Sequence, residues 1–291
     1  MSTSRLLVVA VFALSAASGC GRRDAVSTNA AAEAPPPPIE ADLAPASRLV
    51  DPRADELVRQ MSDRLAKVSA FALEAEEVFD EVPEQSPRQQ LTNTRHVALR
   101  RPDRLSGDSS GDAHNRSFYY DGRTFSAIDK AQNVWASGTV PATVDEALDT
   151  VMDRTGTVLP LADFLYTDVY DRLMSQVQRG VYLGIHEAAG VPCHHLSFEQ
   201  ATIDWQLWID AGADPLPRKL VIAYKTEDEV PQYSVTIRKW NVKATLPDAL
   251  FRFTPPEGAT RVEVTAFEPA GRTATPSAGA AGDAPGATQE N

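Results

Sequence analysis

Residues 191–210, "VPCHHLSFEQATIDWQLWID" (Val191 to Asp210), decide how this chain is read. They hold a cysteine, two adjacent histidines and two tryptophans among acids, residue types that also build metal and catalytic centres. In a strand, successive side chains point to opposite faces. Cys193, His195 and Ser197 then share one face, and His194, Leu196 and Phe198 share the other. The two adjacent histidines point apart and cannot grip one ion between them. In the next run Ile203, Trp205, Leu207 and Ile209 share a face, opposite Asp204, Gln206, Trp208 and Asp210. The natural register sets Leu196 and Phe198 beside Trp205 and Ile203. The stretch therefore reads as two antiparallel strands that form an apolar wall.

Leu183 and Ile185 of "GVYLGIHEA" match the same wall and extend it to a third strand. That alignment also sets His186 beside Cys193 and His195. Zinc accepts such N and S donors, but the spacing matches no standard zinc pattern and no Glu stands as an obvious general base. The three are read as polar and small residues on a strand face, with no metal and no other cofactor expected. No P-loop, G-x-G-x-x-G, G-x-S-x-G or H-E-x-x-H occurs, so no catalytic residue is assigned. The pairs Glu76-Glu77 and Asp228-Glu229 read as solvated charge, and His96 and His114 as strand-face or loop histidines.

More strands follow the same rule. "FALEAEEVFDEV" alternates at Phe71, Leu73 and Ala75, and "QQLTNTRHVALRR" at Leu91, Val97 and Leu99. "NRSFYYDGRTFSAID" is a hairpin with Asp121-Gly122 at its turn. "NVWASGTV", "RKLVIAYK" and "QYSVTIRKWNV" complete about ten strands, the later ones spaced like an antiparallel meander. Two helical regions interrupt them. "DPRADELVRQMSDRLAKVSA" has Asp51 as N-cap, Pro52 in its first turn, and Leu57, Met61, Leu65 and Val68 on one face. "PATVDEALDTVMDRTG" has a Thr143/Glu146 capping box and Gly156 as its stop. "LPLADFLYTDVYDRLMSQV" reads as one or two further short helices. The fold class is α+β: a large, curling antiparallel sheet covered by an N-terminal helix and a central helical insert.

Composition sets the surroundings. The chain has 291 residues and a formal net charge of −12. Phosphate backbones repel such a chain, so nucleic acid is not expected as a partner. Residues 1–20, "MSTSRLLVVAVFALSAASGC", have the three-part form of a secretory signal. The signal ends in Ala17-Ser18-Gly19-Cys20, which resembles the bacterial lipobox and implies acylation of Cys20 and membrane anchoring there. Gly21, not Asp, follows the cysteine, which by the same resemblance implies the outer membrane. Residues 21–51, with "AEAPPPPIEA", read as a disordered Ala/Pro-rich tether, averaging roughly 30 Å end to end as a coil. Residues 269–291 read as a disordered tail, which leaves 52–268 as the folded domain. With Cys20 acylated, Cys193 has no disulfide partner in the chain and reads as a small buried hydrophobe.

"LPLADFLY", the "HHLSF" and "DWQLWID" pair, "PLPRKLVIAY" and "WNVKATLPDALFRFTPPEGA" together resemble an uncharacterised family of predicted periplasmic bacterial proteins. The closing "LFRFTPPEGA" also resembles the last segment of the lipoprotein carriers LolA and LolB. The resemblance implies an unclosed, strongly curved half-barrel with helices across its mouth. It also implies that the space between them takes a lipid or lipidated molecule. The wall expected to line that space comes from alternation: Leu183, Ile185, Leu196, Phe198, Trp205, Leu207 and Ile209. A solid-cored protein acting through an envelope protein partner is the alternative reading.

Overall fold

Strict alternation in the sequence becomes strict alternation in burial. In β2 (Ala70–Glu81), Phe71, Leu73, Ala75, Glu77 and Phe79 are buried while the residues between them keep some surface. β2 pairs along its whole length with β3 (Gln89–Arg100), from Ala70 opposite Arg100 to Glu81 opposite Gln89. The chain then winds antiparallel through β4 (Arg104–Gly111), β5 (Arg116–Tyr120), β6 (Thr124–Asp129) and β7 (Val134–Thr139). A second meander follows in β8 (Arg179–Ala188), β9 (Val191–Glu199), β10 (Ile203–Asp210), β11 (Pro217–Tyr224) and β12 (Gln232–Asn241). β12 pairs with β2, which fuses the two meanders into one sheet. Two-residue strands close the series, β1 (Leu49–Val50) beside β8 and β13 (Thr260–Arg261) beside β7, both parallel.

The result is a 13-stranded, curved sheet that does not close into a barrel, in the order β1-β8-β9-β10-β11-β12-β2-β3-β4-β5-β6-β7-β13. The computed structural model describes residues 49–81, 83, 87–156, 160–225 and 230–263. The expected signal and its Cys20, all but the end of the tether, the C-terminal tail and the Asp228-Glu229 pair lie outside the described residues.

Three strands exceed the expected ten. β1 and β13 are too short to show a period. β4, "RLSGDSSG", reads as a loop by composition. Its small residues have a packing reason: a Cβ on Gly107 would fall 2.3 Å from the ring of Phe118 on β5.

The helices form as their caps dictate. In α1 (Pro52–Ala66) the Asp51 carboxylate accepts from the Arg53 N–H at 2.8 Å, satisfying one of the first-turn donors. In α2 (Val144–Thr155) the Thr143 hydroxyl accepts from the Glu146 N–H and donates to its carboxylate, and Gly156 ends the helix at φ 63°. A 3₁₀ turn (Pro160–Phe164) and α3 (Val169–Met174) follow. This whole insert links β7 to β8, the two long strands nearest the open edges of the sheet.

The main core lies between the sheet's inner face and these helices. Leu57, Val58, Met61 and Leu65 of α1 join Phe164, Leu165, Tyr166, Val169 and Leu173 over Phe71, Leu99, Leu105 and Leu207. The insert is also tied down by polar contacts. Arg101 donates to the Tyr166 carbonyl at 2.9 Å, and Arg172 grips Asp149 while lying 3.3 Å from the Tyr166 ring centroid.

Candidate functional site

The wall is present on β9 and β10. Leu196, Phe198, Trp205, Leu207 and Ile209 are all buried and belong to the main core. The faces are those expected, but the register differs by two residues. Phe198 stands opposite Trp205 and Leu196 opposite Leu207. The tight turn sets this: the Gln200 N–H donates to the Ile203 carbonyl at 2.9 Å, so the strands pair from Glu199–Asp204 onward. A two-residue shift keeps every side chain on its face. The Phe198 and Trp205 rings stack with centroids 4.2 Å apart. The Trp205 indole N–H is buried and has no hydrogen-bond partner among the described residues.

Leu183 and Ile185 do not belong to the wall. They are 44% and 51% exposed. The register of β8 against β9 shifts between Tyr182 and Gly184, where Gly184 adopts φ 107°. Such a bulge inserts an extra residue, so the strand before it changes faces and Tyr182, not Leu183, meets Leu196. Ile185, beyond the bulge, keeps the expected face opposite His194 but is exposed there. The wall's third strand is instead supplied by Gly180 opposite Phe198 and Tyr182 opposite Leu196. Gly180 is required there, because a Cβ would lie 2.6 Å from Cδ1 of Phe198. The isolated Gly184 within an apolar strand is the sequence signal that marks this bulge.

On the opposite face, His186, Cys193 and His195 do meet as neighbours. His186 pairs with Cys193, and Nδ1 of His186 lies 2.7 Å from Nδ1 of His195. Nε2 of His195 contacts the Gln206 Oε1 at 2.9 Å, and its ring stacks on Trp208 at 3.9 Å. Burial, with smaller contributions from His186 and Lys219, lowers the pKa of His195 and favours its neutral form. Cys193 is fully buried in a small cluster with Ala188 and Trp208, and its thiol donates to the Val191 carbonyl. Burial pushes that thiol up to about 11. Among the described residues, no group of three or more His, Cys, Asp or Glu side chains could hold a metal ion. These side chains pack and hydrogen-bond one another.

Glu76 and Glu77, both expected as solvated charge, part company in the fold. Glu76 is exposed beside Arg238 at 2.9 Å, as solvated charge should be. Glu77 falls on the inner face instead and is buried, paired with Arg95 and accepting from the Tyr233 hydroxyl. Asn93 Nδ2 and Ser109 Oγ, on the same face of β3 and β4, are buried without partners among the described residues. Of the two lone histidines, His96 is exposed on β3 and His114 stacks on Phe79.

A recess of about 390 Å³ separates α1 from the ends of β9 and β10. Leu57, Gln60, Asp63, Arg64 and Lys67 line its helical side, and His194, Asp210 and Pro215 its sheet side. Arg64 bridges it by an ion pair with Asp214, in which Nη2 donates to Oδ2 at 3.0 Å. Burial and the charge of Arg53 hold His194 below the usual imidazole pKa. Leu57 belongs to both the recess and the main core, so the recess meets the apolar interior where α1 covers the sheet.

Several solved structures are similar. An uncharacterised conserved protein from Thermus thermophilus has a TM-score of 0.43 and 10% identity, covering 72% of this chain and 99% of that one. The Mycobacterium tuberculosis lipoprotein LppX has a TM-score of 0.44 and 14% identity, over 68% and 100% of the two chains. A LolA superfamily protein from Nitrosomonas europaea has a TM-score of 0.32 and 9% identity, over 69% and 97%. These distant likenesses say nothing of what this chain binds. No curated protein matches it. The family profile described as "Predicted periplasmic protein (DUF2092)" matches residues 54–265, almost the whole of the folded region, and the chain belongs to that family.

Proposed function

We propose that this is a non-catalytic envelope lipoprotein that holds a lipid or lipidated molecule between the inner wall of its sheet and its helices. The observation that carries the reading is Trp205. Its indole N–H is buried within an apolar wall and donates to nothing among the described residues. A buried donor left unmade costs about 1–3 kcal/mol, which an ester, amide or carboxyl oxygen of an apolar ligand would recover. The cover over this wall consists of separate helices, and the recess at α1 already reaches Leu57. In the form described here the wall is packed closed, so binding requires α1 or the insert to lift. That packing also favours the second reading, a solid core acting through an envelope protein partner.

Anchoring completes the proposal. Cys20, acylated at the lipobox, holds the chain to the outer membrane, and residues 21–48 give the domain its reach. A Cys20→Ser variant should move to the soluble fraction; retention in the membrane would refute the anchor. Ligand binding is tested by titrating delipidated protein with a fluorescent fatty acid. Saturable uptake, weakened in a Trp205→Phe variant that keeps the ring and lacks the donor, supports the reading. Absence of any uptake overturns it.

A further inference from the structure

The edge of the sheet at β8 exposes an apolar row that packing does not explain. Val181, Leu183 and Ile185 are 43%, 44% and 51% exposed, and Leu49 of the adjoining β1 is 62% exposed. They follow one another along this open edge, Leu49 and Val181 on one face of the sheet, Ile185 on the other and Leu183 at the bulge between them, and only two other large apolar side chains among the described residues are exposed, Val230 and Leu250. Exposed apolar side chains run together along an unpaired edge, and such an edge marks a contact surface. β1 covers the edge only at Arg179 and Gly180, so the row from Val181 onward has no neighbouring strand among the described residues.

We propose that this edge rests on a lipid bilayer, with Leu49, Val181, Leu183 and Ile185 at the boundary between headgroups and acyl chains. Two observations select a lipid surface. First, the bulge at Leu183–Gly184 breaks the regular ladder in the middle of the exposed row. An added strand or a second copy of β8 needs an unbroken ladder, whereas a fluid apolar surface needs no register. Second, the chain enters the fold at this same edge. Leu49 follows the 48 residues that contain the lipobox, so an anchor at Cys20 delivers its tension beside the apolar row. The inference rests on the lipoprotein reading above. It adds an orientation: the tether end and the β8 edge face the membrane. Tethering keeps the edge at high local concentration near lipid, so a weak contact suffices.

The test uses the mature full chain carrying Cys20→Ser, so that any binding is the domain's own. It is mixed with vesicles of phosphatidylethanolamine and phosphatidylglycerol and floated on a density gradient. Measurable partitioning is expected, falling about tenfold when Val181, Leu183 and Ile185 are all changed to Ser. All three are exposed, so the fold should tolerate the changes. Bound ligand, read by native mass spectrometry, should be the same in both chains, which separates this inference from the ligand proposal. No flotation, or equal flotation of the two chains, overturns it. So does sedimentation showing a dimer that the triple variant loses, since the edge would then join two copies.

Discussion

Phe198 and Trp205 face each other across β9 and β10 with ring centroids 4.2 Å apart, and Gly180 of β8 lies directly opposite Phe198 on its other side. Three adjacent strands thus meet at one ring, with glycine leaving the space that the ring fills. Gly180→Ala should destabilise the fold by about 1–3 kcal/mol through overpacking, and Phe198→Ala by about 3–5 kcal/mol through the cavity it leaves. Urea denaturation checks both, and near-neutral values would show that the wall is loosely packed.

Glu77 and Glu76 are neighbours in sequence with opposite fates. Burial works against the charge of Arg95, and the nearby Glu77 carboxylate outweighs it and holds the guanidinium charged. Glu77→Ala strands that charge in the interior and should cost about 3–5 kcal/mol. Glu76→Ala removes an exposed pair and should change stability by less than about 1 kcal/mol. Equal effects in thermal melts would contradict the placement of Glu77.

Cys193 should be chemically silent in the folded protein. Its thiol is fully buried and pushed up to about 11, so little thiolate exists at pH 8. Labelling by an aromatic disulfide reagent should be at least about tenfold slower in buffer than in urea. Prompt labelling of native protein would mean that the β8–β9 end opens freely.

Asp163, in the 3₁₀ turn of the insert, keeps some surface, yet loss of water around its carboxyl pushes it up to about 7 against the pull of Arg172. A folded pKa above the ordinary carboxylate value means that ionisation opposes folding. The cost is absent below about pH 4 and fully present above about pH 7. Asp163→Asn should therefore raise the melting temperature by a few degrees at pH 8, with the gain shrinking toward pH 4. A gain independent of pH would place the effect elsewhere.

Much of this fold is legible in sequence because its signals are local. Asp51, Thr143, Glu146 and Gly156 cap as their types dictate, and alternation gives the faces of β2, β9 and β10. What escapes depends on partners distant in the chain. Leu183 and Ile185 alternate correctly as letters, but one extra residue at a bulge takes Leu183 out of the register and leaves Tyr182 in its place, while Ile185 keeps its face and stays exposed, and only the pairing with β9 and the packing reveal it. Glu77 looks like its neighbour Glu76 until Arg95 and Tyr233 arrive from β3 and β12. β4 hides behind glycines and serines whose smallness answers to Phe118. The candidate wall is therefore legible on β9 and β10 and misread on β8. Its third strand, the recess at α1 and the unpaired indole N–H of Trp205 are properties of the packed structure.

Lipid carried by the domain is read most directly by native mass spectrometry of the mature chain carrying Cys20→Ser, purified from the periplasm, followed by extraction and identification of bound lipid. A fraction of the protein should carry an added mass of lipid size, lost on delipidation and reduced in the Trp205→Phe variant. A single mass equal to the polypeptide, unchanged after incubation with lipid extract, would contradict it and establish the filled core as the working form.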